Sequence, residues 1–164
     1  MASGNTLNTF FPEDNEAPAA TFATLDSRNA ISVLDFDAAT EELAVFRAIL
    51  PGYYLGGGLT IDVYGMATSA TSGDVKLGIA IERDNDNNHD LDTDAFATEQ
   101  TAVVTANGTS GKKFKATVTV SSGANMDSLA ASEPYRVKLA RKAADGADTM
   151  TGDWEFTDMH VKET

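Results

Sequence analysis

Val75-Lys76-Leu77-Gly78-Ile79-Ala80-Ile81-Glu82 decides the fold class. Its large apolar residues recur at every second position, with Lys76 and Glu82 on the opposite parity. Successive side chains of a strand point to opposite faces, so this is a strand with one buried side. Three further stretches show the same alternation. They are Leu59-Thr60-Ile61-Asp62-Val63-Tyr64, Phe114-Lys115-Ala116-Thr117-Val118-Thr119-Val120 and Tyr135-Arg136-Val137-Lys138-Leu139. Weaker candidates cover 19–26, 31–36, 43–50, 97–105 and 153–162. In the last, Trp154 and Phe156 share one parity and Met159 and Val161 the other. A bulge near Asp158 reconciles the two halves.

Turn residues fall between these runs. Pro51-Gly52, Gly56-Gly57-Gly58, Ser72-Gly73, Asn107-Gly108, Ser122-Gly123 and Asp145-Gly146 all suit tight turns. Asn107-Gly108 reads as a hairpin connection, and 126–132 as one helical turn before Pro134. There is no amphipathic helix of useful length. Many short strands with frequent turns predict an all-β protein. About eight main strands fit an antiparallel β-sandwich of the jelly-roll type. An immunoglobulin-like sandwich is the alternative, without its usual Cys–Trp–Cys framework.

Composition narrows the function. The chain has 164 residues, enough for one domain, with 42% hydrophobic and 23% charged residues. Cysteine is absent, which excludes thiolate catalysis and zinc–thiolate sites. His89 and His160 are the only histidines, too few for a multi-histidine metal centre. The net charge of −13 disfavours binding to nucleic acid. No apolar run is long enough for a membrane-spanning helix, and residues 1–18 lack the features of a secretory signal.

Residues 1–18 are polar apart from a few apolar side chains, including the pair Phe10-Phe11. They read as an extended N-terminal arm preceding a sandwich domain of residues 19–164. The bland reading of the arm is a frayed terminus. The functional one docks Phe10 and Phe11 on a neighbouring subunit. Tyr53 and Tyr54 follow Pro51-Gly52 and are candidates for a partner-binding loop. Tyr64 lies on the polar parity of its strand. Exposed aromatics of this kind stack on sugars or fill interfaces. Ordinary packing under a loop, or a cross-strand pair, is the structural alternative.

The stretch 84–94 is rich in aspartate and asparagine. Asp84, Asp86, Asn88 and Asp90 follow the first half of an EF-hand calcium loop, with Leu91 at its apolar position, and Asp92 adds a further oxygen ligand. His89 stands where that loop needs glycine, and Ala95 where it needs a bidentate glutamate. The competing reading is a solvated acidic connection. No G-x-S-x-G elbow occurs, and no Lys-Ser/Thr follows Gly56-Gly57-Gly58, so the expectation is a protein that is not an enzyme.

Four segments carry a resemblance. They are Leu55-Gly56-Gly57-Gly58-Leu59-Thr60-Ile61, the stretch Met66 to Val75, Met126-Asp127-Ser128-Leu129-Ala130-Ala131 and the stretch Ala144 to Asp153. In this order, between about Val33 and Thr164, they resemble a small β-sandwich family among virion structural proteins of tailed bacteriophages. The resemblance implies a jelly-roll module on the outer head surface of a virion. Its implied role is capsid decoration (cement), as a homotrimer bound to the major capsid protein. It brings no catalytic motif. The alternative is a head- or tail-fibre module that binds a carbohydrate receptor such as a host glycan, with exposed Tyr53, Tyr54 or Tyr64 as its platform.

Overall fold

The computed structural model describes residues 4–85 and 89–164. Ten strands are formed among them: β1 (Thr6–Phe10), β2 (Thr24–Arg28), β3 (Ile31–Phe36), β4 (Glu42–Ile49), β5 (Leu59–Ala67), β6 (Asp74–Arg83), β7 (Gln100–Thr105), β8 (Phe114–Val120), β9 (Pro134–Arg141) and β10 (Trp154–Glu163). The first sheet runs β2-β3-β10-β5-β8, and β1 also pairs with β10; the second runs β4-β9-β6-β7. The pairings between these strands are antiparallel.

Strands β3 to β10 form four nested pairs: β3 with β10, β4 with β9, β5 with β8 and β6 with β7. The first and third pairs lie in the first sheet, the other two in the second. A long antiparallel ribbon wrapped in this way is a jelly roll. The expected all-β sandwich and its eight main strands are therefore present. Asn107-Gly108 is a correction. It joins β7 to β8, which belong to different sheets, so it makes a crossing and not a hairpin.

The inward faces of both sheets meet in one core. Phe10, Phe46, Phe156, Trp154 and Phe36 form a continuous aromatic row, with successive ring centroids 5.4, 5.4, 6.2 and 5.3 Å apart. Gly65 makes room for it: a Cβ there would sit 2.5 Å from the Trp154 indole. Phe10 shows that residues 6–10 are not a free arm. It is only 3% exposed, and β1 is hydrogen-bonded to β10. Packing against Phe46 outweighs the entropy of a loose terminus.

Arg141 closes one end of the sandwich. It is fully buried, pairs with Asp148 at 2.9 Å and donates to the carbonyls of Met150 and Gly152 at 2.8 and 2.9 Å. This binds the 142–153 connection to β9. A buried guanidinium needs such complete pairing.

Candidate functional site

The outward faces of the two sheets differ. On the second sheet, Phe96 lies against Arg136 and Lys138, with the cations 5.1 and 5.3 Å from its ring centre. Glu99 covers Gly78 and reaches Lys142 at 3.0 Å. Ala80 and Glu82, which face outward on β6, are buried as a result. The corresponding face of the first sheet, across β8, β5 and β10, carries a shallow groove.

Three strands build that face. On β5 the parity of Leu59, Ile61 and Val63 points inward, which turns Thr60, Asp62 and Tyr64 outward. On β8 the same alternation presents Lys115 and Thr117. On β10 the register shifts between Phe156 and Asp158. Trp154 and Phe156 point inward before the shift, and Met159 and Val161 after it. Asp158, His160 and Lys162 are thereby brought outward beside β5. The phase change in the sequence is this bulge.

Tyr64 is the centre of the face. Its ring lies 5.1 Å from that of His160, tilted by 51°. Lys113 Nζ is 5.6 Å from the Tyr64 ring centre. Tyr64, Lys113, Phe114, Lys115, Asp158 and His160 line one shallow open groove. Its floor belongs to hydrogen-bonded strands, so these side chains are held on a rigid support.

Charge is organised around two carboxylates. The first, Asp62, accepts from Lys162 Nζ at 2.6 Å and from Thr117 Oγ1 at 2.6 Å, and Lys115 Nζ stands 3.4 Å away. Burial works against its ionisation, but the Lys162 and Thr117 hydrogen bonds and the Lys115 charge prevail and hold the carboxyl below the usual range. The second, Asp158, pairs with Lys113 and lies 3.3 Å from His160 Nε2. Each carboxylate thus serves two basic side chains.

The partner-binding candidates divide. Phe10 is in the core, and Phe11 is 52% exposed. Tyr53 is 45% exposed, but Tyr54 is only 7% exposed, which corrects its expected place on a binding loop. Its hydroxyl accepts from Gly58 N at 2.9 Å and donates to Met126 Sδ at 3.6 Å. The glycine turn curls back over the ring and buries it. Neither Tyr53 nor Phe11 lines the Tyr64 groove.

Three of the five calcium candidates, Asp84, Asp90 and Asp92, lie among the described residues. Asp86 and Asn88 lie outside the described residues. Asp84 is paired with Arg47 at 2.9 Å. Asp90 accepts from Asp92 N at 3.1 Å, which makes a local turn. Among the described residues, no group of three or more His, Asp or Glu side chains is arranged to hold a metal ion. A second acidic cluster joins Asp35, Asp37, Glu42 and Asp153. Backbone N–H groups of Ala39, Asp37 and Ala38 occupy oxygens of Asp37, Glu42 and Asp153 respectively. Burial pushes Asp35 up to about 6, reinforced by the charges of Asp153, Glu155, Asp26 and Glu42.

Of the face that carries the groove, Tyr64 alone is legible as a candidate in the sequence, from its parity. His160 and the lysines are not. Their signal is the phase change of β10, which places His160 outward once the bulge is accepted.

No protein-family model and no curated protein matches the chain. Solved structures of similar fold include a carbohydrate-binding module of Cellvibrio mixtus lichenase 5A in complex with cellotriose. It is 12% identical, with 98% of this chain and 99% of that chain covered and a TM-score of 0.47. A carbohydrate-binding module with specific mannan recognition is 8% identical, with 99% of each chain covered and a TM-score of 0.45. A family 11 module from Clostridium thermocellum, in complex with a mixed-linked tetrasaccharide, is 9% identical, with 98% and 96% covered and a TM-score of 0.44. At such identities the likeness concerns the fold alone.

Proposed function

We propose that the protein binds a saccharide on the outward face of β8, β5 and β10, with Tyr64 as its stacking surface. The observation that carries this reading is the Tyr64–His160 pair in an open groove rimmed by Lys113, Lys115 and Asp158. Sugar rings offer an apolar face of C–H groups and a rim of hydroxyls. An aromatic side chain takes the first, and charged donors and acceptors take the second. Lys113 and Lys115 donate and Asp158 accepts, so the groove offers both halves of a hydroxyl's hydrogen bonding. The strands fix the spacing of these groups before ligand arrives, which lowers the ordering cost of binding.

The reading is of binding, not catalysis. Asp62 is occupied by its lysine and threonine partners, which hold its carboxyl below the usual range. The reading rests on the groove and not on the likeness of fold. The capsid-decoration role, with its trimer and capsid partner, has no counterpart among the solved structures named above.

An oligosaccharide array tests the proposal. The wild-type chain should retain a defined set of glycans, and Tyr64→Ala should retain them more weakly while keeping the wild-type circular dichroism spectrum. Absence of any retained glycan, or undiminished retention by the variant, would remove the groove as the site.

A further inference from the structure

We infer that the saccharide taken by the Tyr64 groove is anionic, carrying carboxylate or sulfate groups. The inference rests on the binding reading above and adds the chemical class of ligand. Its first support is the distribution of charge. The chain has 12 lysine and arginine residues against 25 acidic ones. Three of those 12 lie on this face: Lys115 on β8, Lys162 on β10 across β5 from it, and Lys113 in the connection before β8. Asp62 and Asp158 oppose them on this face. Distant carboxylates are screened over about 10 Å at 0.1 M salt, so a ligand in the groove responds to the local surplus.

The second support is how the two carboxylates are shared. Asp62 is divided between Lys162 at 2.6 Å and Lys115 at 3.4 Å. Asp158 is divided between Lys113 and His160. One carboxylate neutralises one ammonium, so the Asp62–Lys162 contact leaves Lys115 the weaker partner. Lys113 and Lys115 are also the exposed members, at 49% and 46% of the side chain. Each ammonium has three donors, and the carboxylate contact uses one. The remaining donors face the solvent side of the groove.

The third support is position. Lys113 Nζ stands 5.6 Å from the Tyr64 ring centre. A sugar ring stacked on Tyr64 would bring its substituents to the Lys113 and Lys115 ammoniums. A neutral sugar would leave this surplus charge unanswered. A carboxylate or sulfate would meet it with charge-assisted hydrogen bonds, which are about twice as strong as neutral ones.

Calorimetry with matched ligand pairs tests the class. One pair is an oligogalacturonate and its methyl ester; the other is a sulfated galactan oligosaccharide and its desulfated form. The full chain should bind the acidic member of one pair about tenfold or more tighter than its neutral partner, the difference expected of hydrogen bonds to a charged group. The pair that shows the difference distinguishes carboxylate from sulfate. Lys113→Gln with Lys115→Gln should abolish the preference while keeping the wild-type circular dichroism spectrum. Raised salt should weaken the acidic ligand only. Equal or tighter binding of neutral members, weakened in Tyr64→Ala, would overturn the anionic class and leave the groove standing. A preference that survives in the double lysine variant would also overturn it. Failure of every ligand, acidic and neutral, together with an empty array, would overturn the binding reading itself.

Discussion

The rings of Tyr64 and His160 stand 5.1 Å apart on neighbouring strands, and the bulge between Phe156 and Asp158 is what lets them meet. Without the extra residue, the outward parity of β10 would carry Met159 and Val161, and His160 would face the core. The site therefore depends on a local irregularity that also keeps two apolar pairs buried. Tyr64→Ala should reduce saccharide affinity by up to about tenfold, the value of an aromatic contact of about 0.5–1.5 kcal/mol. Titration calorimetry on the array-selected ligand measures it, and an unchanged affinity would exclude stacking on this ring.

Arg141 and Asp148 are both buried and paired at 2.9 Å. Asp148→Ala leaves the guanidinium without its counter-charge and should cost about 3–5 kcal/mol. Urea unfolding of the wild type and variant gives the difference. A loss below about 1 kcal/mol would mean that the carbonyls of Met150 and Gly152 suffice for Arg141.

Phe10 and Phe11 are adjacent and should behave differently. Phe10→Ala empties a core position beside Phe46 and should cost about 3–5 kcal/mol. Phe11→Ala removes an exposed ring and should stay within about 0.5 kcal/mol. Equal effects in chemical denaturation would contradict β1 as a part of the first sheet.

Asp35 gives a pH dependence with a definite sign. Burial, with the neighbouring carboxylates, raises its pKa from 3.8 to about 6 in the folded chain. Between about pH 4 and pH 6 the native state then holds more protons than the unfolded one. The contribution of Asp35 to stability therefore falls as the pH rises through that window, and stays unfavourable above it. Asp35→Asn should melt higher than the wild type at pH 7, and the gap should close by about pH 4. A gap that is constant with pH would show that Asp35 is not the titrating group.

Much of the fold is legible because one buried side imposes strict alternation. β5, β6, β8 and β9 follow directly from it, and the parity break in β10 marks the bulge. β1 is not legible. Its apolar residues Leu7 and Phe10 differ in parity, because its register to β10 is itself irregular between Thr6 and Asn8. Tyr54 misleads because turn residues suggest exposure, whereas the Gly56–Gly58 turn folds over the ring. Asn107-Gly108 has hairpin chemistry, but whether β7 and β8 pair is decided by the whole sandwich. The groove is legible only at Tyr64. The charges that surround it come from β8, β10 and the connection before β8, and alternation alone does not say which strands are neighbours.

Chemical-shift mapping on the isotopically labelled chain tests the central claim most directly. Titration with the array-selected saccharide should move the amide signals of Tyr64, Lys115 and His160 and of their neighbours on β5, β8 and β10. The same titration of Tyr64→Ala should need up to about tenfold more saccharide to move them as far. Shifts confined to the loop around Tyr53, or to the outward face of the second sheet, would contradict the account.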